Sequence, residues 1–338
     1  MAANATVVFT APRTVEIEDR PIPEPREGQV VVKTRRSLIS TGTELTILNG
    51  EYPEGSAWER YGKFPFVPGY DNIGEVVKTG PGVDEALIGR RISSYGTHSM
   101  YAAVSIDQIR PVREDTPDDL AAFGTIADIV YNGVRRGRPE WGESAVVYGL
   151  GLLGQMTVRC LIFAGLKPVF AVDISDERLA RLPEHPRIVP LNPKTTDVRK
   201  TVAERTRARM ADIVYEVTGA PGLIPKEFEV LKNVGRMVIL SSPSGPTEFD
   251  FHDLCNSPSY TIIGAHGSSS PACETPYNQW TRPRNTELYF DMATDGDLEM
   301  ESLISHCEDY TEAPELYRML IEDRSAAMGV ILKWSSSG

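Results

Sequence analysis

The sequence predicts an α/β protein that combines a β-rich domain with a doubly wound parallel sheet. Short β-prone runs separated by Gly/Pro turns fill roughly the first 115 residues, and strand-like and helix-like segments alternate in the middle of the chain. A glycine motif joins one of these strands to one of these helices at residues 149–154. The length of 338 residues suits two domains of ordinary size.

The amino-terminal part is expected to form β structure. Residues that favour strands dominate positions 29–33 and 74–78. Proline and glycine interrupt these runs at positions 21–25 and 80–82, where turns are therefore expected.

The glycine motif is the dinucleotide-binding fingerprint of a Rossmann sheet. It follows a β-prone run at residues 144–148, and a helical pattern over 152–164 and a second strand over 169–173 come after it. Gly149 permits the tight turn, Gly151 lets a pyrophosphate approach the backbone, and Gly154 lets the helix pack on the strand. The amino terminus of the helix offers unpaired N–H groups and the positive end of its dipole to the phosphates.

The acid that ends the second strand indicates NAD(H). Asp173 lies about twenty residues beyond the last glycine, where a carboxylate can bond the adenosine ribose diol and would repel a 2′-phosphate. Arg178 could instead reach such a phosphate, which keeps NADP(H) as the less favoured alternative. The predicted cofactor residues are Gly149, Leu150, Gly151, Leu152, Leu153, Gly154, Asp173, Arg178 and Thr218.

Further segments continue the pattern towards the carboxyl terminus. Strands are predicted at residues 212–217, 235–240 and 260–264, which extends the parallel sheet. Helices are predicted at residues 286–294 and 310–323, and a closing strand at 328–333. One plausible architecture is a cofactor domain inserted in the chain, with the flanking segments forming the other domain.

Composition and charge exclude several classes of protein. Lys plus Arg number 35 against 47 for Asp plus Glu, a net charge of −12, which disfavours a general nucleic-acid surface. No apolar stretch approaches the length of a membrane span, and no basic region followed by an apolar core opens the chain, so we expect a cytoplasmic protein with no membrane partner. The four cysteines are widely separated, which predicts neither a disulfide framework nor a structural zinc lobe.

Four segments in this order resemble the medium-chain dehydrogenase/reductase superfamily: residues 38–44, residues 67–77, the glycine motif with Asp173, and residues 303–306. The resemblance implies a GroES-like catalytic domain over residues 1–118 and a Rossmann NAD-binding domain over 119–267. Residues 268–338 would return to the catalytic domain. It also implies a homodimer that acts on a small-molecule substrate.

The segments depart from the zinc alcohol dehydrogenases of that superfamily, which carry a Cys in the first segment and a His-Glu pair in the second. Thr41 stands at the Cys position, Tyr70 and Asp71 stand at the His-Glu positions, and the third ligand position falls near Thr125. Neutral hydroxyls are poor zinc ligands beside thiolate and imidazole. We therefore expect no catalytic zinc.

Without zinc, side chains must bind the substrate oxygen and move the proton. Thr43 aligns with the hydroxyl that relays protons in zinc relatives, and Thr41 lies near the same point. Tyr70 can donate to a developing oxyanion without any pKa shift. Asp71 and His98 complete the candidate set. Each of these side chains has a structural alternative: a turn hydroxyl, a packing ring, a buried ion-pair partner or a core histidine.

The segments are most similar to the branch of bacteriochlorophyllide hydroxyethyl dehydrogenases, which oxidise a secondary alcohol. We therefore expect a zinc-independent NAD(H)-dependent enzyme that interconverts a secondary alcohol and a ketone, with a sugar, cyclitol or polyol as candidate substrate. The alternative is a zinc-free NAD(P)H-dependent C=C reductase acting on an enone or enoyl substrate. A third reading is a nucleotide-binding protein that has lost catalysis.

Overall fold

The computed structural model describes residues 3–271 and 273–334. The strands are β1 (Ala3–Ala11), β2 (Thr14–Pro21), β3 (Gln29–Leu38), β4 (Asn72–Thr79), β5 (Arg91–Ser94), β6 (Tyr101–Ser105), β7 (Ile109–Pro111), β8 (Ala145–Tyr148), β9 (Val169–Val172), β10 (Ile188–Leu191), β11 (Ala211–Glu216), β12 (Leu231–Ile239), β13 (Thr261–Gly264), β14 (Ile304–Asp309) and β15 (Gly329–Lys333). The helices are α1 (Thr43–Asn49), α2 (Ala57–Tyr61), α3 (Asp118–Ala121), α4 (Gly124–Gly137), α5 (Leu152–Phe163), α6 (Asp176–Leu179), α7 (Val198–Arg205), α8 (Ile224–Glu227), α9 (Arg282–Thr294) and α10 (Ala313–Glu322).

The described residues divide into two compact units. The first unit takes its residues from 1–127, 283–296 and 304–338, and the second unit from 128–282 and 297–303. Each unit has a sheet and a hydrophobic core of its own.

The first unit is built on a seven-stranded sheet in the order β14-β15-β3-β4-β5-β7, with β6 also pairing with β3. A separate hairpin is formed by β1 and β2. Helix α10 is amphipathic, and it buries Ala313, Leu316, Tyr317 and Leu320 at the spacing of one helical face. This face joins a core that also contains Trp334.

The second unit is a parallel sheet in the order β10-β9-β8-β11-β12-β13. This is the doubly wound order, in which the strand sequence reverses between β8 and β11. Both β8 and β9 are buried on both faces, as their continuous runs of apolar residues require. The predicted α/β class, a β-rich part and a doubly wound parallel sheet, is confirmed.

Within residues 3–271 and 273–334, no helix has the length and apolar character needed to cross a membrane.

Candidate active site

The glycine loop follows the carboxyl end of β8, at the point where the strand order reverses. Gly149 has a φ of 89°, a conformation that L side chains rarely adopt. A Cβ at Gly154 would lie 1.8 Å from the carbonyl oxygen of Gly149, so only glycine allows this helix to approach the strand. A Cβ at Gly151 would meet nothing within 4 Å. The backbone at Gly151 therefore borders open space, as a phosphate-binding loop requires.

Helix α5 begins at this loop with Gly151 as its N-cap residue. No side chain caps the helix in the described structure, and its first turn carries no acid. The first intrahelical bond runs from the Gln155 N–H to the Gly151 carbonyl at 2.9 Å. The N–H groups of the first turn, which include those of Leu152 and Leu153, can therefore receive an anion without competition from a capping side chain.

Asp173 follows β9 and holds the glycine loop. Its carboxylate accepts the Leu150 N–H at 2.7 Å and the Ser175 N–H at 2.9 Å. The Nη1 atom of Arg178 lies 3.6 Å from the same carboxylate. Arg178 therefore partly neutralises the charge that would repel a 2′-phosphate, which bears on the choice between NAD(H) and NADP(H).

The next loop is held by Glu216, the last residue of β11. Its fully buried carboxylate accepts the Thr218 N–H at 2.6 Å, the Thr218 hydroxyl at 2.7 Å and the Gly219 N–H at 2.8 Å. The Ser241 hydroxyl donates to its other oxygen. This acid fixes the position of Thr218, a predicted cofactor residue, at the carboxyl edge of the sheet.

Glu227, on the short helix α8, is buried without any compensating contact. It is fully buried, and neither of its carboxylate oxygens has a hydrogen-bond partner in the described structure. Burial first, and the charge of Glu216 second, raise the pKa of Glu227 to about 9. The side chain is therefore protonated at neutral pH.

In the first unit, three hydroxyl side chains meet in what we call the hydroxyl cluster: Ser40, Thr43 and Tyr70. The Tyr70 hydroxyl is hydrogen-bonded to the Ser40 hydroxyl and lies 3.4 Å from Oγ1 of Thr43. Ser40 follows β3, Thr43 begins α1, and Tyr70 comes shortly before β4. Burial raises the pKa of Tyr70, although both hydrogen bonds oppose that shift. Tyr70 is therefore a proton donor at neutral pH rather than a phenolate base.

A buried network lies next to the hydroxyl cluster, and it contains Ser37, Glu44, His98, Tyr317 and Trp334. The Trp334 Nε1–H can only donate, and it bonds the Ser37 Oγ at 2.8 Å. Ser37 can then donate to His98 Nδ1, also at 2.8 Å, which leaves the proton of the imidazole on Nε2. That nitrogen lies 3.2 Å from the Glu44 carboxylate. With the proton on Nε2, each donor in this chain of hydrogen bonds has an acceptor.

Glu44 connects this network to the hydroxyl cluster. Its carboxylate accepts the backbone N–H of Ser40 at 3.1 Å and the hydroxyl of Tyr317. Glu44 and His98 are both almost fully buried. His98 and Ser40 thus both contact the Glu44 carboxylate, which links His98 to the hydroxyl cluster.

Asp71 is directed at the start of helix α4. Each of its carboxylate oxygens accepts one backbone N–H at 3.1 Å, from Thr125 and from Ile126. The Thr125 hydroxyl donates to the Tyr70 carbonyl at 3.1 Å. Burial raises the pKa of Asp71 to about 8, although the two N–H bonds favour its carboxylate form. These contacts anchor the Tyr70 backbone to α4.

Gly69 is required by the tight approach of two loops. Its φ is +104°, and a Cβ there would lie 2.5 Å from the backbone nitrogen of His98. The His98 N–H donates to the Pro68 carbonyl at 2.8 Å. Thr41 lies between Ser40 and α1, and its carbonyl accepts a bond from Arg324 at 3.3 Å.

Comparisons with known proteins identify the family of this chain. The model of the alcohol dehydrogenase GroES-like domain matches residues 26–131, and the zinc-binding dehydrogenase model matches residues 153–281. The chain belongs to the medium-chain dehydrogenase/reductase superfamily. The predicted superfamily and the predicted oxidoreductase class are both confirmed.

Two related sequences and one solved structure show what this superfamily member is similar to. It is 26% identical to D-guloside 3-dehydrogenase of Escherichia coli (strain K12), over 96% of this chain and 99% of that protein. It is 23% identical to 2-desacetyl-2-hydroxyethyl bacteriochlorophyllide A dehydrogenase of Cereibacter sphaeroides, over 99% of each chain. Its fold matches that of the short chain alcohol dehydrogenase rspB of E. coli CFT073, solved with NADH, with a TM-score of 0.83 and 20% identity over 98% of this chain and 100% of that one.

The donor set of this superfamily member does not fit a zinc ion. Among the described residues, no group of three or more His, Cys, Asp or Glu side chains is placed to hold a metal. Asp71 offers a carboxylate near the expected ligand positions, but both of its oxygens accept N–H bonds from α4. The hydroxyls of Tyr70 and Thr125 are poor zinc ligands.

Sequence reasoning did not assign roles to Glu44 and Glu216, which organise the two sites. Glu44 had a visible signal, because it is an acid in the first turn of a helix that begins within the hydroxyl-rich segment. Glu216 ends a predicted strand, in the same position as Asp173. Nothing in the sequence indicated that Glu227 is buried, because a Pro-Lys-Glu segment is typical of an exposed helix.

Proposed function

We propose that this protein is an NAD(H)-dependent dehydrogenase that interconverts a secondary alcohol and a ketone without zinc. The observation that carries the proposal is the Tyr70 phenol hydrogen-bonded to the hydroxyls of Ser40 and Thr43. The resemblance puts Tyr70 at a position where zinc relatives carry a metal ligand. We propose a hydroxyl-rich small molecule, such as a sugar, cyclitol or polyol, as substrate. The relative named for oxidation at the 3-position of D-gulosides supports this class.

The hydroxyl cluster can do the work of a metal on the substrate oxygen. In the reductive direction, Tyr70 donates its proton to the ketone oxygen as negative charge develops there. Ser40 or Thr43 then returns a proton to Tyr70 and takes up a proton from water in its place, since a hydroxyl both donates and accepts. In the oxidative direction the same hydroxyls carry the alcohol proton away. The raised pKa of Tyr70 supports its role as donor.

The second unit offers the residues that would hold the cofactor. The open backbone at Gly151 and the uncapped start of α5 suit a pyrophosphate, and Asp173 suits the ribose diol. A bound NAD(H) would accept or supply the hydride at the carbinol carbon. The Asp173 carboxylate favours NAD(H) over NADP(H). Because Arg178 lies close to this carboxylate, we expect a smaller preference than an aspartate without a cationic neighbour would give.

The test is a screen of chelator-treated protein with NAD⁺ and hexosides, inositols and linear polyols. We expect turnover that does not change when Zn²⁺ is added back. Tyr70→Phe should lower kcat by about 10²- to 10⁴-fold, the usual contribution of a general acid, while NADH binding stays unchanged. Tyr310→Phe is the matched control, because Tyr310 stacks on Trp334 at 4.8 Å and lies outside the hydroxyl cluster.

Two outcomes would contradict the proposal. Activity that disappears on chelation and returns with Zn²⁺ would show that a metal binds the oxygen. Full activity in Tyr70→Phe would remove the phenol from the mechanism.

A C=C reductase remains the second candidate, because a neutral phenol can equally protonate an enolate and Arg178 relieves the repulsion of NADPH. An enone substrate separates the two reactions. An allylic alcohol as product supports the first proposal, and a saturated ketone supports the second.

We also propose a homodimer. Strand β13 is the outer strand of the parallel sheet, and its residues are largely exposed, with Ile262 at 41%. An exposed edge of this kind can pair with a second copy. Light scattering that reports twice the chain mass of 37.3 kDa would support this assembly, and a monomer would refute it.

A further inference from the structure

The second unit contains a cavity of about 660 Å³ that the dehydrogenase reaction does not use. It lies at the amino ends of β11 and β12, where Met210 precedes one strand and Leu231 begins the other. The glycine loop follows the carboxyl end of β8, and all these strands are parallel. The cavity and the glycine loop therefore lie at opposite edges of the same sheet.

The cavity is open to solvent and six of its eleven lining residues are apolar. Three cations also line it, and we call it the basic cavity. Its apolar lining residues are Ala208, Met210, Phe228, Leu231, Leu254 and Tyr260. The rings of Phe228 and Tyr260 lie 5.6 Å apart. A volume of this size accommodates a small organic molecule, and such a lining would bury its apolar part.

Three cations, one acid and Asn233 complete the lining. Lys232 is paired with Asp212, and Glu229 is the acid. Arg199 and Arg209 are exposed, and neither forms an ion pair within the described part of the chain. Two guanidinium groups without a carboxylate partner thus border one apolar cavity.

The local charge is opposite to that of the whole protein. Residues 199–209 carry five Lys or Arg side chains and a single acid, Glu204, in a chain with a net charge of −12. Lys200, Arg205 and Arg207 do not line the cavity, and their positive charge would add to that of Arg199 and Arg209 in attracting an anion.

The backbone beside the cavity adopts a conformation that costs free energy. Arg207, Ala208 and Met210 have φ values of 56°, 62° and 66°, in the left-handed region that residues other than glycine seldom occupy. Hydrogen bonds hold this turn in place, from Met210 N to the Thr206 hydroxyl and from Ala208 N to the Ala203 carbonyl. Strain of this kind concentrates at functional sites. Here the turn contains Arg209 and Met210, which both line the cavity.

We propose that the basic cavity binds a small phosphate monoester carried on an apolar body. Arg199 and Arg209 would bind the phosphate, because the planar guanidinium donates paired hydrogen bonds to phosphate oxygens. Phe228, Tyr260 and the aliphatic lining would bury the aliphatic or aromatic part. The ligand needs both features, which separates this site from one that takes a simple anion.

Isothermal titration calorimetry with hexyl phosphate, hexanol and inorganic phosphate tests both features. We expect hexyl phosphate to bind the wild-type protein at least tenfold more tightly than either of the other two probes. The double variant Arg199→Gln/Arg209→Gln should raise the Kd of hexyl phosphate about tenfold. Arg205→Gln is the matched control, since Arg205 is an exposed cation on α7 that does not line the cavity. It should leave the Kd unchanged.

A competition with NADH decides where the probe binds. Saturation with NADH should leave the hexyl phosphate titration unchanged, and the double variant should bind NADH like the wild type. Displacement of the probe by NADH would place it at the glycine loop and overturn the proposal. Equal binding by wild type and double variant, or no binding of hexyl phosphate, would overturn it as well.

Discussion

The buried carboxyl group of Glu227 predicts a dependence of stability on pH that one substitution should remove. Glu227 is fully buried, and neither carboxylate oxygen has a hydrogen-bond partner in the described structure. Burial and the nearby Glu216 raise the pKa of Glu227 from 4.5 to about 9. In the unfolded chain the same group titrates near its ordinary value, so the folded state retains a proton that the unfolded state releases.

The sign and size of the effect follow from this difference. The stabilisation is complete below the unfolded pKa and is lost as the pH rises towards the folded pKa. Each pH unit in that interval changes the free energy of unfolding by about 1.4 kcal/mol per group. Between pH 5.5 and 7.5, Glu227 should therefore lower stability by roughly 3 kcal/mol. Glu227→Gln keeps the shape of the side chain but cannot ionise, so it should lack this decline.

Urea unfolding followed by far-ultraviolet circular dichroism at pH 5.5, 6.5 and 7.5 measures the effect. The stability of Glu227→Gln relative to the wild type should rise steadily with pH. Glu229→Gln is the matched control, because Glu229 is exposed and lies only two residues away. Curves for wild type and Glu227→Gln that stay parallel across this range would refute the reasoning, because they would mean that the carboxyl group finds a partner or water in the folded protein.

Four further substitutions test the sites. Gly154→Ala should abolish NADH binding measured by nicotinamide fluorescence, because its Cβ would lie 1.8 Å from the Gly149 carbonyl oxygen. Gly151→Ala should fold normally and only weaken NADH binding, because no atom lies within 4 Å of its Cβ. Asp173→Asn should weaken NADH binding about tenfold and reduce the preference for NADH over NADPH, since one charge-assisted hydrogen bond to the ribose is lost. An unchanged ratio of the NADH and NADPH affinities would show that Asp173 does not determine the choice of cofactor. His98→Ala should lower the free energy of unfolding in urea by about 3 kcal/mol, because Glu44 loses its buried partner. A decrease below about 1 kcal/mol would show that water replaces the imidazole.

Local signals in the sequence were sufficient for five of the six strands of the parallel sheet, whereas β10, Ile188–Leu191, was not predicted. The helix predicted over residues 152–164 is α5, Leu152–Phe163, and the strand predicted over 169–173 is β9, Val169–Val172. Both depend on glycine positions and on runs of apolar residues, which act within a few residues of each other. The predicted strand at 235–240 is part of β12, Leu231–Ile239, which starts four residues earlier.

Two helices near the carboxyl terminus have bounds that differ from the predicted ones. The helix predicted over residues 286–294 begins earlier, as Arg282–Thr294, because Pro283 is acceptable in the first turn of a helix. The segment predicted as one helix over residues 310–323 instead opens with a 3₁₀ turn, Tyr310–Glu312, before α10 begins at Ala313. Pro314 sits in the first turn of that helix.

The candidate site was only partly predictable, because its contacts connect distant parts of the chain. Thr43 and Tyr70 could be proposed from short motifs, but their connection through Ser40 depends on how β3, α1 and β4 are arranged. The bond between Ser37 and Trp334 spans 297 residues, and the bond between Glu44 and Tyr317 spans 273. No periodicity in a single sequence contains information about such pairs.

The completeness of the hydrogen bonding around Tyr70 bears on whether these residues form a working site or the remains of a metal site. A site that had merely lost its zinc would leave buried polar atoms without partners, at a considerable cost in stability. In the described part of the chain, neither Tyr70, Asp71 nor Glu44 has a buried atom without a partner, and near them only Oδ1 of Asn72 does. Asp71 is satisfied by the start of α4, and Glu44 by Ser40, His98 and Tyr317. A fully connected network of this kind holds the phenol in one position, which a general acid needs in order to act.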